Sequence, residues 1–174
     1  AIPTHRFRID RGKILELRVG YDKDKLCWQT SAAGERLQKA VRQLINSLQT
    51  PLPARFQSEI NLALPSWLKK LERVMQRGVM IFIDYGHSAD EYYNAQRPDG
   101  TLMCHYRNRA HPDPFAYPGI QDISIHVDFS ALADAALNAG LRTLGYTTQC
   151  HFLMGCNITE LIEQEMKNAL SEED

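Results

Sequence analysis

An apolar run that ends abruptly in polar residues most constrains how this chain folds. Val79–Ile83 reads VMIFI and is followed at once by Asp84, Tyr85, Gly86 and His87. A short continuous apolar run next to polar residues and a glycine is typical of a strand that is buried on both faces, as in a parallel sheet. Ligands of open α/β sheets bind outside the carboxyl ends of the strands. The run therefore predicts a ligand site at Asp84 and Tyr85, although Asp84 can also simply cap a turn.

The rest of the chain mixes helical and strand-like periodicities, which predicts an α/β fold. We expect one domain over residues 1–174, with a long loop from Asp84 to Gln121. Ser66 and Ser130 are the expected N-caps of the second and third helices. Strands are expected at His5–Asp10, Lys13–Val19, Leu26–Thr30, Thr101–Tyr106, Ile123–Val127 and Thr143–Phe152. Helices are expected at Ala33–Leu48, Trp67–Gln76, Ala131–Ala139 and Ile158–Leu170.

Composition narrows the functional classes. The formal net charge of -1 gives no general reason to expect binding to nucleic acid or to an anionic membrane surface. No stretch is long and apolar enough to predict a membrane span. The 4 cysteines are widely spaced and form no CxxC motif, which favours reduced thiols and a cytoplasmic location.

A second candidate cluster lies in the stretch DISIHVDF, Asp122–Phe129. In a single strand, every second residue shares a face, so Asp122, Ser124, His126 and Asp128 would lie on one polar side. A pair such as His126 and Asp128 can perform acid–base work or orient a substrate. The alternative is a solvent-facing side of a strand that carries no chemistry.

The His126-x-Asp128 spacing also admits a metal site of the two-histidine, one-carboxylate type. His105 or His151 would have to supply the third ligand, and no spacing selects either of them. The remaining cysteines and histidines match no zinc spacing. We therefore predict no metal.

Several motifs together resemble one family. The segments are IDYGHSADEYY, RPDGTLMCHYRNRAHPDPF and PGIQDISIHVDFSALADAALNAGLRTLGYTTQCHFL, with looser similarity in AIPTHRF and SEINLALPSWL. They resemble the C-terminal half of the MidA-like proteins, which are class I S-adenosylmethionine-dependent methyltransferases. A mitochondrial relative in that family assists assembly of respiratory complex I and methylates an arginine of one of its subunits. The resemblance implies a partial class I methyltransferase sheet, Rossmann-like, with an added hairpin and a helical insertion.

The resemblance also implies that part of the family's fold lies outside this sequence. Class I methyltransferases bind S-adenosylmethionine at a glycine-rich turn after the first strand, and no GxGxG occurs among the 10 glycines here. We expect the chain to be the substrate-side half, inactive alone, and we assign no cofactor-binding residue. The sheet edge would be covered by the rest of the fold, by a partner copy, or by edge pairing in a homodimer.

By resemblance, two groups of residues face the substrate. Asp84, Tyr85, His126 and Asp128 are expected to be catalytic, and Glu59, Tyr92, Tyr93 and Gln149 to bind substrate. If the acceptor is an arginine of a protein, such as a respiratory complex subunit by analogy, carboxylates should grip its guanidinium. Asp84, Asp128 and Glu59 are the candidates for that contact.

A different class of function stays open beside the enzyme. A half-domain without a cofactor site can act as a non-enzymatic binding or assembly module through the loop Asp90–Gln121, which is rich in Tyr, Arg and Pro. Calorimetry with S-adenosylmethionine discriminates between cofactor binding by this chain and a binding role alone.

Overall fold

The computed structural model describes residues 2–171, and the chain divides into two compact units, Ala1–Leu141 and Arg142–Asp174. In the first unit the strands are β1 His5–Asp10, β2 Lys13–Asp22, β3 Lys25–Ala32, β4 Arg55–Ile60, β5 Gly86–His87, β6 Met103–Tyr106, β7 Arg109–His111, β8 Asp122–Ser124 and β9 Val127–Asp128. Its helices are α1 Glu35–Ser47, α2 Leu64–Val74, α3 Ala89–Tyr92 and α4 Phe129–Asn138. The second unit contains α5 Gln149–Gly155 and α6 Ile158–Ser171. The expectation of one domain over residues 1–174 stays a prediction.

The N-terminal part of the first unit is an antiparallel sheet with the strand order β3-β2-β1-β4. Its two tight turns place Arg11 and Gly12, and Lys23 and Asp24, at positive φ angles. Such turns match the right-handed twist of the strands that they join. The predicted hairpin is confirmed, and so is the third strand, although β2 and β3 are longer than the patterns indicated.

The main hydrophobic core lies where α1 and α3 cover this sheet. Leu37 and Val41 recur on one face of α1, as the helical periodicity predicts, and both are buried. The buried members of the core are Phe7, Ile9, Ala33, Leu37, Val41, Phe56, Tyr92 and Tyr93.

A second, smaller core forms between α2 and α4, around Leu64, Leu68 and Ala135. The caps of these helices differ from those predicted. Leu64 rather than Trp67 begins α2, and the Asn61 side chain accepts hydrogen bonds from the backbone there. Asp128, not Ser130, caps α4 by accepting a hydrogen bond from the backbone N–H of Ala131 at 3.0 Å. A carboxylate at the N-cap satisfies a helical N–H that otherwise has no partner.

The predicted buried strand Val79–Ile83 is wrong in two respects. The segment belongs to no strand in the described part of the chain, and most of its side chains are exposed, for example Ile83 at 71%. Only the residues after it are paired, because Gly86 and His87 of β5 lie parallel to Val127 and Asp128 of β9. A continuous apolar run indicates burial only when neighbouring strands cover it.

The predicted single strand Ile123–Val127 is also wrong. It divides into β8, which pairs antiparallel with β6, and β9, which pairs parallel with β5. Because these pairings belong to different sheets, Asp122 and Ser124 do not share one strand face with His126 and Asp128. The strand predicted inside the long loop is confirmed as β6.

In the second unit, the predicted strand Thr143–Phe152 is replaced by an irregular segment followed by α5. The Thr148 hydroxyl caps α5 by accepting a hydrogen bond from the backbone N–H of His151 at 3.3 Å. This favours a helix start in a sequence whose β-branched residues had indicated a strand. The last predicted helix is confirmed as α6. Among residues 2–171, no helix has the length and hydropathy needed to cross a bilayer.

Candidate functional site

The candidate site centres on the short parallel pair β5–β9. The backbone N–H of Val127 donates to the carbonyl of Tyr85 at 2.8 Å, which is the hydrogen bond expected for the parallel pairing of Val127 with Gly86. Gly86 makes the close approach possible, because a Cβ there would collide with the carbonyl oxygen of Val127 and lie 2.7 Å from the Phe129 ring. The glycine of the DYGH motif therefore sets how closely the two strands meet.

Two histidines face each other at this pair. The ring centroids of His87 and His126 are 5.1 Å apart, with an interplanar angle of 53°. Within the described part of the chain, Nδ1 of His126 is buried without a hydrogen-bond partner, and Nδ1 of His87 lies 3.6 Å from a carboxylate oxygen of Glu91. His126 therefore has a neighbour, His87, that was not among the predicted site residues.

The surroundings favour the neutral form of His126. Burial lowers its pKa from the usual 6.5, and the positive charges of His87 and Arg97 lower it further, while Asp84 acts in the opposite direction. A neutral imidazole can accept a proton near pH 7. The pair can therefore do the proton-accepting work expected of His126.

A buried network of hydrogen bonds holds the backbone of His126 in place. Its backbone N–H donates to the Thr101 hydroxyl at 3.1 Å, and that hydroxyl lies 3.0 Å from the phenol of Tyr92. The Glu59 carboxylate accepts from the backbone N–H of Thr101 at 2.9 Å and pairs with Nε of Arg6 at 3.3 Å. Burial raises the pKa of Glu59, although its contacts with Thr101 and Arg6 oppose that shift.

Gly100 gives the Glu59 carboxylate its space. A Cβ at Gly100 would lie 2.6 Å from both carboxylate oxygens, and the φ of +82° is itself unfavourable for other residues. Glu59 and Tyr92 are each only 2% exposed. Glu59 and Tyr92 contact Thr101, which in turn holds His126, so both residues position that histidine. Their expected role in binding substrate stays a prediction.

Asp128 and Tyr93 form the other side of the network. The Tyr93 hydroxyl donates to the carbonyl of Glu59 at 3.1 Å and also interacts with the Asp128 carboxyl. Burial raises the pKa of Asp128, and its hydrogen bonds at the start of α4 and to Tyr93 oppose this shift. The Ser130 hydroxyl, at the same helix start, accepts from the backbone N–H of Ala89 at 3.0 Å and so ties α4 to α3.

Asp84 and Tyr85 differ from these buried residues because both are exposed. The Asp84 carboxylate accepts a hydrogen bond from the backbone N–H of Tyr85 at 2.8 Å, and the Tyr85 side chain is 84% exposed. Asp84 acts on His126 through its charge. Gln149 begins α5 in the second unit and is exposed there. The structure thus brings together Glu59, Tyr92, Tyr93, His126 and Asp128, and the catalytic and binding roles of all the predicted residues stay predictions.

The metal alternative gains no support from geometry. Within residues 2–171, no group of three or more His, Cys, Asp or Glu side chains is arranged to hold a metal ion. All four cysteines are free thiols.

Comparison with known proteins identifies the family. A family model described as "Putative S-adenosyl-L-methionine-dependent methyltransferase" matches residues 1–147. The chain belongs to this methyltransferase family. A comparison with curated proteins finds no match.

Two crystal structures from Burkholderia thailandensis extend the comparison to three dimensions. One is a COG1565 superfamily member bound to S-adenosyl-homocysteine, and the other is a native COG1565 superfamily protein. Each is 36% identical to the chain, with a TM-score of 0.83 over 93% of it. The chain spans only 41% and 42% of their respective lengths, less than half of either. The α/β fold class and the use of S-adenosylmethionine as cofactor are therefore confirmed for this methyltransferase family.

The part of the methyltransferase described here does not by itself fit that cofactor. Small-molecule sites enclose most of their ligand in a cleft. Two surface depressions among residues 2–171 lie on α1 and α6; each is lined by one helix alone, and neither contains a predicted site residue. The sequence also lacks the glycine-rich turn expected from the family resemblance. What the chain does supply is the β5–β9 pair, with Asp84 shortly before β5, His87 within it and His126 directly before β9.

Proposed function

We propose that the chain is the substrate-side half of a protein arginine methyltransferase of the MidA-like type, corresponding to its C-terminal half. The observation that carries this proposal is the arrangement at the β5–β9 pair within a chain of this family. Methyl transfer to nitrogen needs an aligned acceptor and a group that takes its proton. The neutral His126, packed against His87, suits the second task.

The carboxylate of Asp84 is suited to aligning the acceptor when that acceptor is an arginine. It is exposed, and its one hydrogen bond in the described part of the chain is to the backbone of Tyr85. A carboxylate with free acceptor positions can hold a guanidinium through charge-assisted hydrogen bonds. Asp128 and Glu59 already hold partners in the buried network, so Asp84 is the favoured contact.

We propose further that the chain is inactive alone. The methyltransferase of which it is a half would act on a protein substrate in the cytoplasm, a respiratory complex subunit being the candidate by family analogy. Isothermal titration calorimetry of the purified chain with S-adenosylmethionine should give no binding heat. Micromolar binding by this chain alone would contradict the assignment as a half without a cofactor site.

The arginine acceptor is tested with a full-length relative of this family. Peptide arrays with arginine or lysine at the central position, analysed by mass spectrometry, should show methyl addition to arginine only. Replacement of the aspartate equivalent to Asp84 by Asn should reduce arginine methylation by about tenfold or more, since a charge-assisted hydrogen bond is weakened. Methylation of lysine instead, or full activity of the Asn variant, would overturn the arginine proposal.

A binding module remains the second candidate. The long loop stacks Tyr106 on Tyr117 with ring centroids 4.4 Å apart, and the Arg107 guanidinium lies over the Tyr106 ring. Exposed aromatic and arginine side chains are enriched where proteins bind each other. Partner binding that is lost in Tyr117→Ala, in a chain that never supports methylation, would favour this alternative.

A further inference from the structure

The backbone of His126 is anchored on both sides of its Cα atom. Its own N–H donates to the Thr101 hydroxyl at 3.1 Å, and the N–H of the next residue, Val127, donates to the carbonyl of Tyr85 at 2.8 Å. These two N–H groups belong to the two peptide planes that flank His126. Because a residue rotates only about φ and ψ, anchoring both planes fixes the direction in which the side chain leaves the backbone.

The two anchors differ in origin. The contact with Tyr85 belongs to the pairing of β5 with β9, whereas the contact with Thr101 is made by one side chain. Within the described part of the chain, Nδ1 of His126 is buried without a hydrogen-bond partner, and the ring packs 5.1 Å from His87. The orientation of the imidazole therefore depends on its backbone and on packing, and the Thr101 hydroxyl supplies half of the backbone anchoring.

The Thr101 hydroxyl uses all of its hydrogen-bonding capacity, which is one donor and two acceptor positions. The backbone N–H of His126 can only donate, so it takes one acceptor position. The hydroxyl proton is donated to the Glu59 carboxylate, at 3.3 Å. The phenol of Tyr92, at 3.0 Å, must therefore be the donor to the remaining acceptor position.

This assignment requires that Glu59 accepts, and its surroundings meet that requirement. One carboxylate oxygen lies 3.3 Å from Nε of Arg6, and the other accepts from the backbone N–H of Thr101 at 2.9 Å. Each oxygen thus has an N–H donor beside it, and a proton on either oxygen would meet that donor. The hydrogen bonds consequently run in one direction, from Tyr92 through Thr101 to Glu59.

We propose that Thr101 is a positioning residue, whose hydroxyl holds the backbone of His126 so that the imidazole is in place to receive the proton of the methyl acceptor. Glu59 and Tyr92 act through Thr101 by fixing the rotation of its hydroxyl, and neither contacts the acceptor. The proposal rests on the proposed function, because it takes His126 to be the group that receives the proton.

A purely structural role for Thr101 makes a different prediction. Loss of a buried hydroxyl would then lower the free energy of unfolding but would leave the His126 ring and amide unchanged in molecules that stay folded. Positioning instead predicts a local change at His126 that follows the presence of the hydroxyl. The two roles are therefore separated by measurements at His126 rather than by global stability.

The first experiment is NMR spectroscopy of the purified chain with Thr101→Val, which keeps nearly the same side-chain shape but removes the hydroxyl. The His126 amide loses its acceptor and should exchange with solvent about tenfold faster or more. The pKa of His126 should rise towards 6.5, because the released ring is better hydrated. Thr101→Ser keeps the hydroxyl and should leave both values close to wild type. Thr30→Val is the matched control, since Thr30 is exposed on β3.

Two further measurements keep the test decisive if Thr101→Val does not fold. In the wild-type chain, the His126 amide should exchange about tenfold or more slowly than an unprotected amide. In Thr101→Ser, that protection should persist although a methyl group is lost. A fast-exchanging His126 amide in either protein would overturn the proposal, and so would a Thr101→Val variant with unchanged exchange and pKa at His126.

The second experiment measures methyl transfer to an arginine peptide by a full-length relative that has threonine and histidine at the positions equivalent to Thr101 and His126. Replacement of that threonine by Val should lower kcat by about tenfold or more, because a displaced proton acceptor loses catalytic power. KM for the peptide should stay within about twofold of wild type. Replacement by Ser should restore most of kcat. A raised KM with unchanged kcat would make the threonine a substrate contact and overturn the proposal.

The two experiments separate this proposal from the proposed function. Full methylation despite a loosened His126 would overturn the catalytic roles of both Thr101 and His126, while the family's cofactor and the arginine acceptor would stand. Absence of arginine methylation by the wild-type relative would sink the proposed acceptor. The NMR measurements on the chain need no methyl transfer, so they would still decide whether Thr101 holds His126.

Discussion

The sheet β1–β4 and the segment Val79–Tyr85 contain similar apolar residues but differ in their surroundings. Phe7 and Phe56, on adjacent strands of the sheet, are 0% and 1% exposed. Ile81 and Ile83 are 65% and 71% exposed. Every strand of this sheet has a paired neighbour, including β1 and β4, which lie far apart in the sequence, and α1 covers one face. Local sequence can therefore predict an apolar strand, but burial of that strand depends on partners that lie elsewhere.

This difference has a thermodynamic consequence. Stability should come from the N-terminal sheet and its helix, while the strand-end segment should contribute little until something covers it. Activity, in contrast, should depend on the segment and on the residues that follow it. In this molecule the main source of stability, the sheet with α1, is thus separate from the exposed segment, although Tyr92 and Tyr93 belong both to the core and to the candidate site.

The largest expected effect tests that separation directly. Phe56→Ala should lower the free energy of unfolding by about 3–5 kcal/mol, because it leaves a cavity in a close-packed core. Ile83→Ala removes a side chain that is already mostly in water and should change stability by less than about 0.5 kcal/mol. Urea denaturation followed by circular dichroism measures both. A decrease of several kcal/mol in the free energy of unfolding of Ile83→Ala would show that the segment is buried in solution. The contrast between the buried sheet and the exposed segment would then be wrong.

A smaller effect is expected at Gly86, where the two regions meet. Gly86→Ala should destabilise the chain by about 1–3 kcal/mol, because the new methyl group collides with the Val127 carbonyl and the Phe129 ring. Gly145→Ala is the control, since nothing lies within 4 Å of a Cβ at that position. Equal melting temperatures for the two variants would contradict the close approach of β5 and β9.

The sequence predicted those parts of the fold that depend on neighbouring residues. Turns such as Arg11-Gly12 and the face of α1 bearing Leu37 and Val41 follow from local geometry, and the structure confirms them. The division of Ile123–Val127 into β8 and β9 could not be predicted, because alternation does not tell which strand a residue pairs with. The helix start at Thr148 was missed because capping outweighed β-propensity in that stretch.

The candidate site was predicted only in part, because some of its contacts depend on strand pairing between distant parts of the chain. His126 and Asp128 were selected from their spacing, and Glu59, Tyr92 and Tyr93 were assigned to substrate binding by resemblance. The contact between His87 and His126 arises from the parallel register of Gly86 with Val127, which is a long-range pairing. The only local signal was a histidine directly after the DYG turn, at the carboxyl end of a predicted strand.

The smallest expected effect is a shift in the pKa of His126, and its measurement is the most specific test of the site. Its pKa in the folded chain should lie below 6.5, because burial and then the charge of His87 disfavour the protonated ring. A base whose folded pKa is lowered contributes stability that is present above the unfolded pKa and is lost as the pH falls through the folded value. The contribution of His126 to the free energy of unfolding should therefore fall as the pH drops below about 6.5.

NMR titration of the His126 ring protons checks both the direction and its cause. His87→Ala should raise the pKa of His126 towards 6.5, since it removes the second-largest of the four influences that shift it. His105→Ala is the matched control, because His105 is exposed and is not among the groups that shift His126. If His126 titrates at or above 6.5 in the folded chain, it is not the neutral, partly buried base that the site requires. If its pKa is lowered but does not respond to His87→Ala, burial and Arg97 account for the shift, and His87 has no electrostatic part in preparing His126 to accept a proton.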